Sequence, residues 1–159
     1  PKVEIGETIV SSSYIRRLVE LGQVERAHLF LGHPHVLTQV VRHGRRIGHT
    51  IGIPTVNLVA PPHVLLPSHG VYATRVFLPN GTDYMAVTNV GTRPTVDNGM
   101  DVTVESWILD FDGDLYGQTI RVEFFHHIRD EVRFDSLDAL KTQITADAET
   151  TRRFFASQN

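Results

Sequence analysis

The sequence predicts a mainly β protein, a small antiparallel β-barrel with helices before and after it. Three observations support this fold class. The middle of the chain holds five or six short segments rich in β-branched residues, and turn sequences such as "PNG" and "DGD" separate some of them. A helical pattern precedes these segments, and another follows them. With 159 residues, the chain is long enough for one domain with its own core and too short for two full ones.

The first part of the chain is predicted to be helical. "SSSYIRRLVELG" offers serine caps at positions 11–13, apolar residues at helical spacing and a stop at Gly22. A second short helix is predicted over about residues 23–31, ending at Gly32.

After Pro34 the pattern changes to strands, and five segments carry it most clearly: "HVLTQVV", "GVYATRVFL", "DYMAVTNVG", "VTVESWILDF" and "QTIRVEFFHHI". "PNG" is a hairpin signal, and Asp112-Gly113 is predicted to form a second hairpin turn. The spaced aspartates around that turn do not make an EF-hand, because Arg121 stands where the calcium loop needs glutamate.

A long helix is predicted to end the chain. Its cap is Asp135 or Ser136, and the segment "DSLDALKTQITADAETTRRFF" follows the helical period. One face of this helix is predicted to carry Leu137, Leu140, Ile144, Ala148 and Thr151.

Composition excludes several classes of protein. The net charge of -3 argues against a surface for general nucleic-acid binding. The absence of cysteine excludes disulfides and thiolate metal sites. No apolar run is long enough for a membrane span, and no phosphate-binding G-x-x-x-x-G-K-[ST] motif occurs. The nine histidines show no recognisable zinc-ligand spacing. A cytoplasmic location is expected, and the start at Pro1 suggests a processed chain or an excised piece.

"GHTIGIPTVNL" combines a glycine-rich loop with alternating polar and apolar residues. Thr55 and Asn57 are predicted to share one face of a strand, while Val56 and Leu58 point to the core. A hydroxyl and an amide oxygen suit Mg²⁺, which takes few protein ligands besides water and phosphate oxygens. The alternative is a strand with two surface polar residues after an ordinary loop, and the spacing alone favours that alternative.

Glu105 is the second candidate for chemistry. In "VTVESWIL" it shares a face with Thr103 and Trp107. A carboxylate in an apolar strand is costly to bury unless it is partnered or useful, so it could act as a general base. The alternative, and the commoner case, is an exposed or ion-paired glutamate on the outside of a barrel.

Five motifs in the same order resemble the riboflavin kinase family, specifically the kinase module of bacterial bifunctional FAD synthetases. "GIPTVN" resembles the family's P-T-A-N motif, and "VESWILDFDGDLYG" resembles its E-x-H-[IL]-x-x-F…D-L-Y-G stretch. The other three are "GVYA", "NVGTRPT" and the ending "IRDEVRFDSLDALKTQI". The resemblance covers about residues 33–155. It implies a Greek-key-like barrel and an enzyme that makes FMN from riboflavin and ATP with Mg²⁺.

The resemblance also implies roles for single residues. Thr55 and Asn57 would hold Mg²⁺ and the ATP phosphates, and Glu105 would take the proton of the riboflavin 5′-hydroxyl. The remaining nucleotide-binding residues would be Gly44, His49, Gly52 and Tyr116. A loop closing on the flavin ring would include Arg129, Val132 and Phe134. The competing function is a barrel that binds flavin or nucleotide without catalysis.

Three positions depart from the family pattern. Val56 stands where alanine is usual, which implies local repacking only. His49 stands where a permanently charged arginine or lysine is common, so phosphate binding would weaken as the imidazole loses its proton. Trp107 replaces a frequent histidine, and this changes the expected shape of the site close to the nucleotide.

The N-terminal segment carries a second resemblance. "SSSYIRRLVELG" resembles the S-S-T-x-I-R segment at the end of the adenylyltransferase domain of those bifunctional enzymes, whose other motif, H-x-G-H, is absent from this sequence. We therefore expect two regions: a helical tail at 1–32 and a kinase barrel with its C-terminal helix at 33–159. An adenylyltransferase domain is the expected partner in a full-length protein, and this chain alone is not expected to make FAD. The alternative for the tail is an independent capped helix.

Overall fold

A six-stranded antiparallel sheet forms the body of the protein in the computed structural model, which describes residues 2–5, 8–43, 52–94 and 99–158. In chain order its strands are β3 (His35–Val40), β4 (Val56–Val59), β5 (Gly70–Phe77), β6 (Asp83–Pro94), β7 (Met100–Ile108) and β8 (Thr119–Arg129). Their spatial order is β3-β8-β5-β6-β7-β4. A backbone hydrogen bond of 2.8 Å from Arg42 N to Asn57 O links the two edges. The sheet is thus a nearly closed barrel, which confirms the predicted fold class.

The connections of the barrel follow a Greek-key order. Strands β5, β6 and β7 pair consecutively, and β8 then returns to lie beside β5. The "PNG" turn joins β5 to β6 as predicted, with Leu78 N donating to Thr82 O. The prediction of a hairpin at Asp112-Gly113 was wrong, because β7 and β8 are not neighbours in the sheet. Asp112 and Gly113 instead lie in the loop that connects β7 to β8 across the end of the barrel. The residue types of a turn do not distinguish a hairpin from a turn within such a longer loop.

The barrel interior is filled mainly by apolar side chains. Leu58, Val104 and Phe124 are fully buried in one cluster that includes residues from every strand. Val56 packs against the same cluster, so Val56 and Leu58 point inward as the alternation predicted. Burial of this apolar surface, at roughly 25 cal/mol per Å², stabilises the fold.

The N-terminal region differs from its prediction. Strands β1 (Lys2–Ile5) and β2 (Thr8–Ser11) form a two-stranded antiparallel sheet before the helices, so the description of residues 1–32 as a helical tail was incomplete. "VEI" and "TIV" are β-branched runs that suit such pairing, but short strands carry a weak signal in sequence. The helices α1 (Ser12–Glu20) and α2 (Val24–Leu31) follow as predicted.

Caps fix the ends of these helices and attach α2 to the barrel. The Ser11 side chain accepts a hydrogen bond from Tyr14 N at the start of α1, and Gly32 ends α2 in the left-handed conformation, with φ of 81°. Val24 is fully buried in the barrel cluster. Glu25 contacts the His126 ring on β8. The second helix is therefore part of the barrel's packing.

Helix α3 (Leu137–Ser157) lies across β5, β6 and β8. Its cap is Ser136, whose side chain accepts from Ala139 N at 3.0 Å. On the predicted face, Ala148 and Thr151 are buried, whereas Leu137 is 49% exposed. None of the helices in the described ranges is long and apolar enough to cross a membrane.

Candidate active site

Three polar side chains form a row across neighbouring strands on one face of the barrel. Glu105 on β7 lies directly opposite Asn57 on β4 and directly opposite Asn89 on β6. Directly opposed residues of antiparallel strands have Cβ atoms about 4.5–5.5 Å apart and project from the same face of the sheet. The next residues on β7, Val104 and Ser106, are fully buried in the interior. The row therefore faces away from the barrel core.

A cavity of about 280 Å³, here named cavity A, lies on the Glu105 side of this row. Strands β5, β6 and β7 form its floor, and the segment 130–136 and helix α3 form its walls. Its polar lining includes Thr55, Asn89, Thr103, Glu105, Arg129 and Glu131. Its apolar lining includes Val71, Val87, Trp107, Val132, Phe134 and Leu140. A mostly apolar site with a few convergent polar groups is typical of a small-molecule cavity.

A second cavity of about 580 Å³, named cavity B, lies on the Asn57 side. It is lined by residues 41–43 just after β3, by the start of β4 and by the loop that follows β7. Its polar residues include Arg42, His43, Asn57, Ser106, Asp112 and Asp114. Cavity B is larger than cavity A, and both basic and acidic side chains line it.

An aromatic pair forms one wall of cavity B. The Tyr116 ring stacks on the His43 ring, with centroids 3.7 Å apart and an angle of 17° between the planes. Tyr116 remains 53% exposed. Stacked planar rings with an accessible face suit another planar ring.

Thr55 lines both cavities. It stands just before β4, where Pro54 restricts the backbone at the entry to the strand. Glu105 lines cavity A, and Asn57, directly opposite it and one strand spacing away, lines cavity B. Two ligands held in the two cavities would therefore meet at Thr55, with a carboxylate beside their contact.

Asn57 is buried without a polar partner. Its side chain is 3% exposed, and neither amide atom makes a hydrogen bond within the part of the chain that the structure describes. An unsatisfied buried amide costs about 1–3 kcal/mol, so this side chain is suited to accept a bound ligand, ion or water as its partner. The Asn57 amide oxygen and the Thr55 hydroxyl are hard oxygen donors, and this set fits Mg²⁺ with few protein ligands.

Histidines and acidic residues do not offer another metal centre in the described ranges. No group of three or more His, Cys, Asp or Glu side chains is arranged there to hold an ion. Any metal bound at the row would have to rely on hydroxyl, amide and ligand oxygens, together with water.

A buried ion pair fixes one wall of cavity A. The Arg129 guanidinium at the end of β8 donates to both carboxylate oxygens of Asp147 on α3, at 2.8 to 3.1 Å. Gln143 Nε2 donates to the same carboxylate at 3.0 Å, and Asp147 is 1% exposed. The guanidinium also lies 5.7 Å from the centroid of the Phe134 ring. Arg129 therefore holds helix α3 and the segment 130–136 in a fixed relation to the barrel.

The sequence-predicted site residues divide between the two cavities. Glu105, Arg129, Val132 and Phe134 line cavity A, Asn57 and Tyr116 line cavity B, and Thr55 lines both. Gly52 is exposed with φ of 77° and is not among the lining residues of either cavity. Gly44 and His49 lie outside the described residues.

Sequence reasoning missed Asn89 and Asp147 as cavity residues. Asn89 stands in the quoted "NVGTRPT" motif, but its position beside Glu105 depends on pairing between distant strands. Asp147 lies beside Ala148 on the predicted face of the last helix. A carboxylate among apolar positions is costly to bury unless it has a partner, and this was the signal in the sequence that could have identified it.

Comparison with known proteins identifies relatives along most of the chain. The family model for flavokinase, described as riboflavin kinase, matches residues 31–155. The bifunctional riboflavin kinase/FMN adenylyltransferase of Haemophilus influenzae is 41% identical over 148 residues, which are 93% of this chain and 47% of that protein. The protein of the same description from Bacillus subtilis is 35% identical over 150 residues, again 93% of this chain and 47% of the relative. The chain thus spans about half the length of these relatives.

A solved structure also matches the fold closely. A Streptococcus pneumoniae crystal structure described as a macrolide-efflux protein superposes with a TM-score of 0.87 at 39% sequence identity. The match covers 96% of this chain and 49% of the other. The barrel and its flanking helices therefore occur together in a solved structure as well.

Proposed function

The chain belongs to the riboflavin kinase family, and we propose that it transfers the γ-phosphoryl group of ATP to the 5′-hydroxyl of riboflavin, giving FMN and ADP. The observation that carries this proposal is that Thr55 lines both cavities, while the directly opposed residues Glu105 and Asn57 line one cavity each. A transfer reaction needs donor and acceptor to meet in a fixed orientation, and such positioning supplies much of the rate.

Cavity B is the proposed site of ATP. Its larger volume and its polar lining suit a nucleotide, and the stacked Tyr116 and His43 rings offer a face for a base. The Thr55 hydroxyl and the Asn57 amide oxygen are the proposed ligands of Mg²⁺, which would neutralise phosphate charge when bound. Gly44, His49 and Gly52 keep their proposed role in the phosphate loop on the strength of the sequence motif.

Cavity A is the proposed site of riboflavin. Its apolar walls suit the flavin ring, and Arg129, Val132 and Phe134 are proposed to contact that ring. Arg129 is held by Asp147, so its guanidinium and the following segment are oriented before the substrate arrives. This preorganisation lowers the entropic cost of binding, because fewer side chains must be ordered when the substrate binds.

Glu105 is the proposed base of the reaction. The riboflavin 5′-oxygen attacks the γ-phosphorus, the bond from that phosphorus to the bridging oxygen breaks, and ADP leaves with the electron pair. Glu105 takes the proton of the attacking hydroxyl. Phosphoryl transfer requires little covalent chemistry from the protein. Positioning by the cavity walls and neutralisation of charge should therefore account for most of the rate enhancement.

The reaction of this chain is proposed to stop at FMN. The relatives are described as bifunctional, and this chain matches about half of their length. The sequence in hand contains no H-x-G-H motif. An adenylyltransferase domain would then be the partner that consumes FMN, and the cytoplasm, as a source of MgATP, is the proposed compartment.

One assay tests the proposal against its alternative, a barrel that binds flavin or nucleotide without catalysis. The chain is incubated with riboflavin, ATP and Mg²⁺, and the flavins are separated by chromatography. FMN that accumulates in proportion to protein concentration, and not without Mg²⁺, is the expected result, with FAD at background. Riboflavin that is bound but never converted would establish the binding module instead.

A further inference from the structure

Asn89 has a buried acceptor atom that points to a ligand. Its amide nitrogen donates to Glu131 Oε2 at 3.1 Å. A carboxylate accepts and does not donate, so this contact fixes which end of the amide is nitrogen and which is oxygen. The other end, Oδ1, is buried and has no hydrogen-bond partner within the described residues. Asn89 lines cavity A, so this oxygen is available to a donor bound there.

The position of Asn89 limits what that donor can be. Asn89 lies directly opposite Glu105, one strand spacing away, which is roughly 4.7–4.9 Å. This argument rests on the proposed function, in which Glu105 receives the proton of the terminal hydroxyl of riboflavin. With that hydroxyl at Glu105, the groups within one strand spacing are the secondary hydroxyls of the ribityl chain. The ring nitrogens lie several carbon atoms farther along the chain.

We propose that Asn89 is a specificity-determining residue, whose Oδ1 accepts a hydrogen bond from a secondary hydroxyl of the acceptor's polyol chain. A cavity built around an unpaired acceptor rejects a substrate without the matching donor, because the buried oxygen then stays unsatisfied. Asn89 thus selects a polyol-bearing flavin over a flavin with a plain alkyl alcohol, and it places the terminal hydroxyl at Glu105.

Glu131 provides a matched control for this role. It is the partner of the Asn89 amide nitrogen and lies in the segment that walls cavity A. Glu131→Ala removes the tie between this segment and β6 but keeps the Asn89 amide, which can still turn its Oδ1 toward a hydroxyl of the substrate. An effect that arises from loosening the segment is shared by Glu131→Ala and the Asn89 variant, whereas an effect of the acceptor oxygen belongs to the Asn89 variant alone.

The experiment compares two acceptors: riboflavin, and the same flavin ring with a 5-hydroxypentyl chain, which keeps the terminal hydroxyl and lacks the secondary ones. Wild-type protein should prefer riboflavin in kcat/KM by about tenfold to a hundredfold, the effect of one or two lost hydrogen bonds. Asn89→Leu should reduce kcat/KM for riboflavin by a similar factor and leave the value for the analogue almost unchanged. Glu131→Ala should keep the preference.

Two results overturn the proposal: a wild-type protein that does not distinguish the two flavins, or an Asn89→Leu variant that keeps the full preference. Binding of both flavins, followed by quenching of flavin fluorescence, gives a readout besides turnover. If wild-type protein phosphorylates neither flavin but binds riboflavin more tightly than the analogue, and Asn89→Leu abolishes that difference in binding, the kinase proposal fails and the selection by Asn89 survives. If it binds neither flavin, the proposal for Asn89 fails as well.

Discussion

Asn57 lies directly opposite Glu105 in the pairing of β4 with β7, and the two side chains contribute to different cavities. The carboxylate faces cavity A, and the amide, with no partner for either polar atom within the described residues, lines cavity B. Thr55 lines both cavities. The proposed base and the proposed metal ligand are thus held one strand spacing apart by backbone pairing, which is more rigid than a loop.

Replacing Asn57 should separate stability from function. Asn57→Leu removes a buried, unpaired amide of similar size, so the ligand-free protein should melt at the same or a higher temperature. Binding of MgATP should weaken strongly, because the amide oxygen is lost. Asn57→Asp, which keeps an oxygen ligand, should retain more of the Mg²⁺ response. Melting curves with and without MgATP measure both effects, and identical Mg²⁺ titrations for wild type and Asn57→Leu would contradict the metal assignment.

Thr55→Val tests the other oxygen ligand. The change removes the hydroxyl and keeps the β-branched shape, so the fold should persist. Turnover should fall, and the Mg²⁺ concentration needed for half-maximal rate should rise. Thr82→Val, in the distant turn between β5 and β6, is a matched control that should leave the Mg²⁺ curve in place. A normal curve for Thr55→Val would remove Thr55 from the metal site.

Glu105→Gln should lower kcat by about 10² or more, because the amide keeps the size of the side chain but cannot take a proton. Riboflavin affinity should change little. Glu123→Gln is the control, since Glu123 lies on β8 and pairs with Arg121 away from the two cavities. Steady-state rates and flavin fluorescence titrations check the prediction. Near-normal turnover in Glu105→Gln would leave positioning alone to account for the rate.

The local parts of this fold were readable from the sequence. The period of two along residues 55–58 predicted that Val56 and Leu58 face the core and Asn57 does not, and the structure agrees. Capping residues located α1 and α2, because caps act within one helical turn. The resemblance of the five motifs then identified the family. Hydrophobic periodicity alone predicts secondary structure and does not identify a family.

The features that were missed depend on contacts between distant parts of the chain. The row Asn57, Glu105 and Asn89 follows from the order of three strands, which no single segment encodes. The turn residues Asp112-Gly113 are the same in a hairpin and in a crossing loop, so the wrong connection was predicted. The short strands β1 and β2 carry too few residues for the period of two to stand out.

The ion pair between Arg129 and Asp147 should contribute to both stability and flavin binding. Asp147→Leu leaves a largely buried guanidinium without its carboxylate and should destabilise the fold by about 3–5 kcal/mol. The double variant Arg129→Met with Asp147→Leu should recover much of that stability, because no unpaired charge remains. Flavin affinity should stay low in the double variant, since the segment 130–136 has lost its anchor. Urea denaturation and fluorescence titration measure the two effects, and independent, additive losses of stability would rule out the coupling.

His35 should make the stability of the fold depend on pH. Burial lowers the pKa of His35 below its ordinary value of 6.5; the hydrogen bond of 2.8 Å to Leu65 O opposes this shift, and the nearby His33 adds to it. Since the pKa is depressed in the folded state, the unfolded chain binds the proton more readily between the two pKa values. The contribution to stability is therefore complete above about pH 6.5 and is lost as the pH falls through the folded pKa.

His35→Gln keeps a donor for Leu65 O and cannot become charged, so it should lose less stability than wild type on acidification below about pH 6.5. His63→Gln, at an exposed position of the loop after β4, should follow the wild-type curve and serves as the control. Urea midpoints measured at several pH values from 8 to 5 (roughly the range that spans histidine titration) check the prediction. Carboxylates that titrate at the lower end affect all three proteins alike, so the difference between the curves isolates His35. Parallel curves for wild type and His35→Gln would show that the buried ring does not carry the pH dependence.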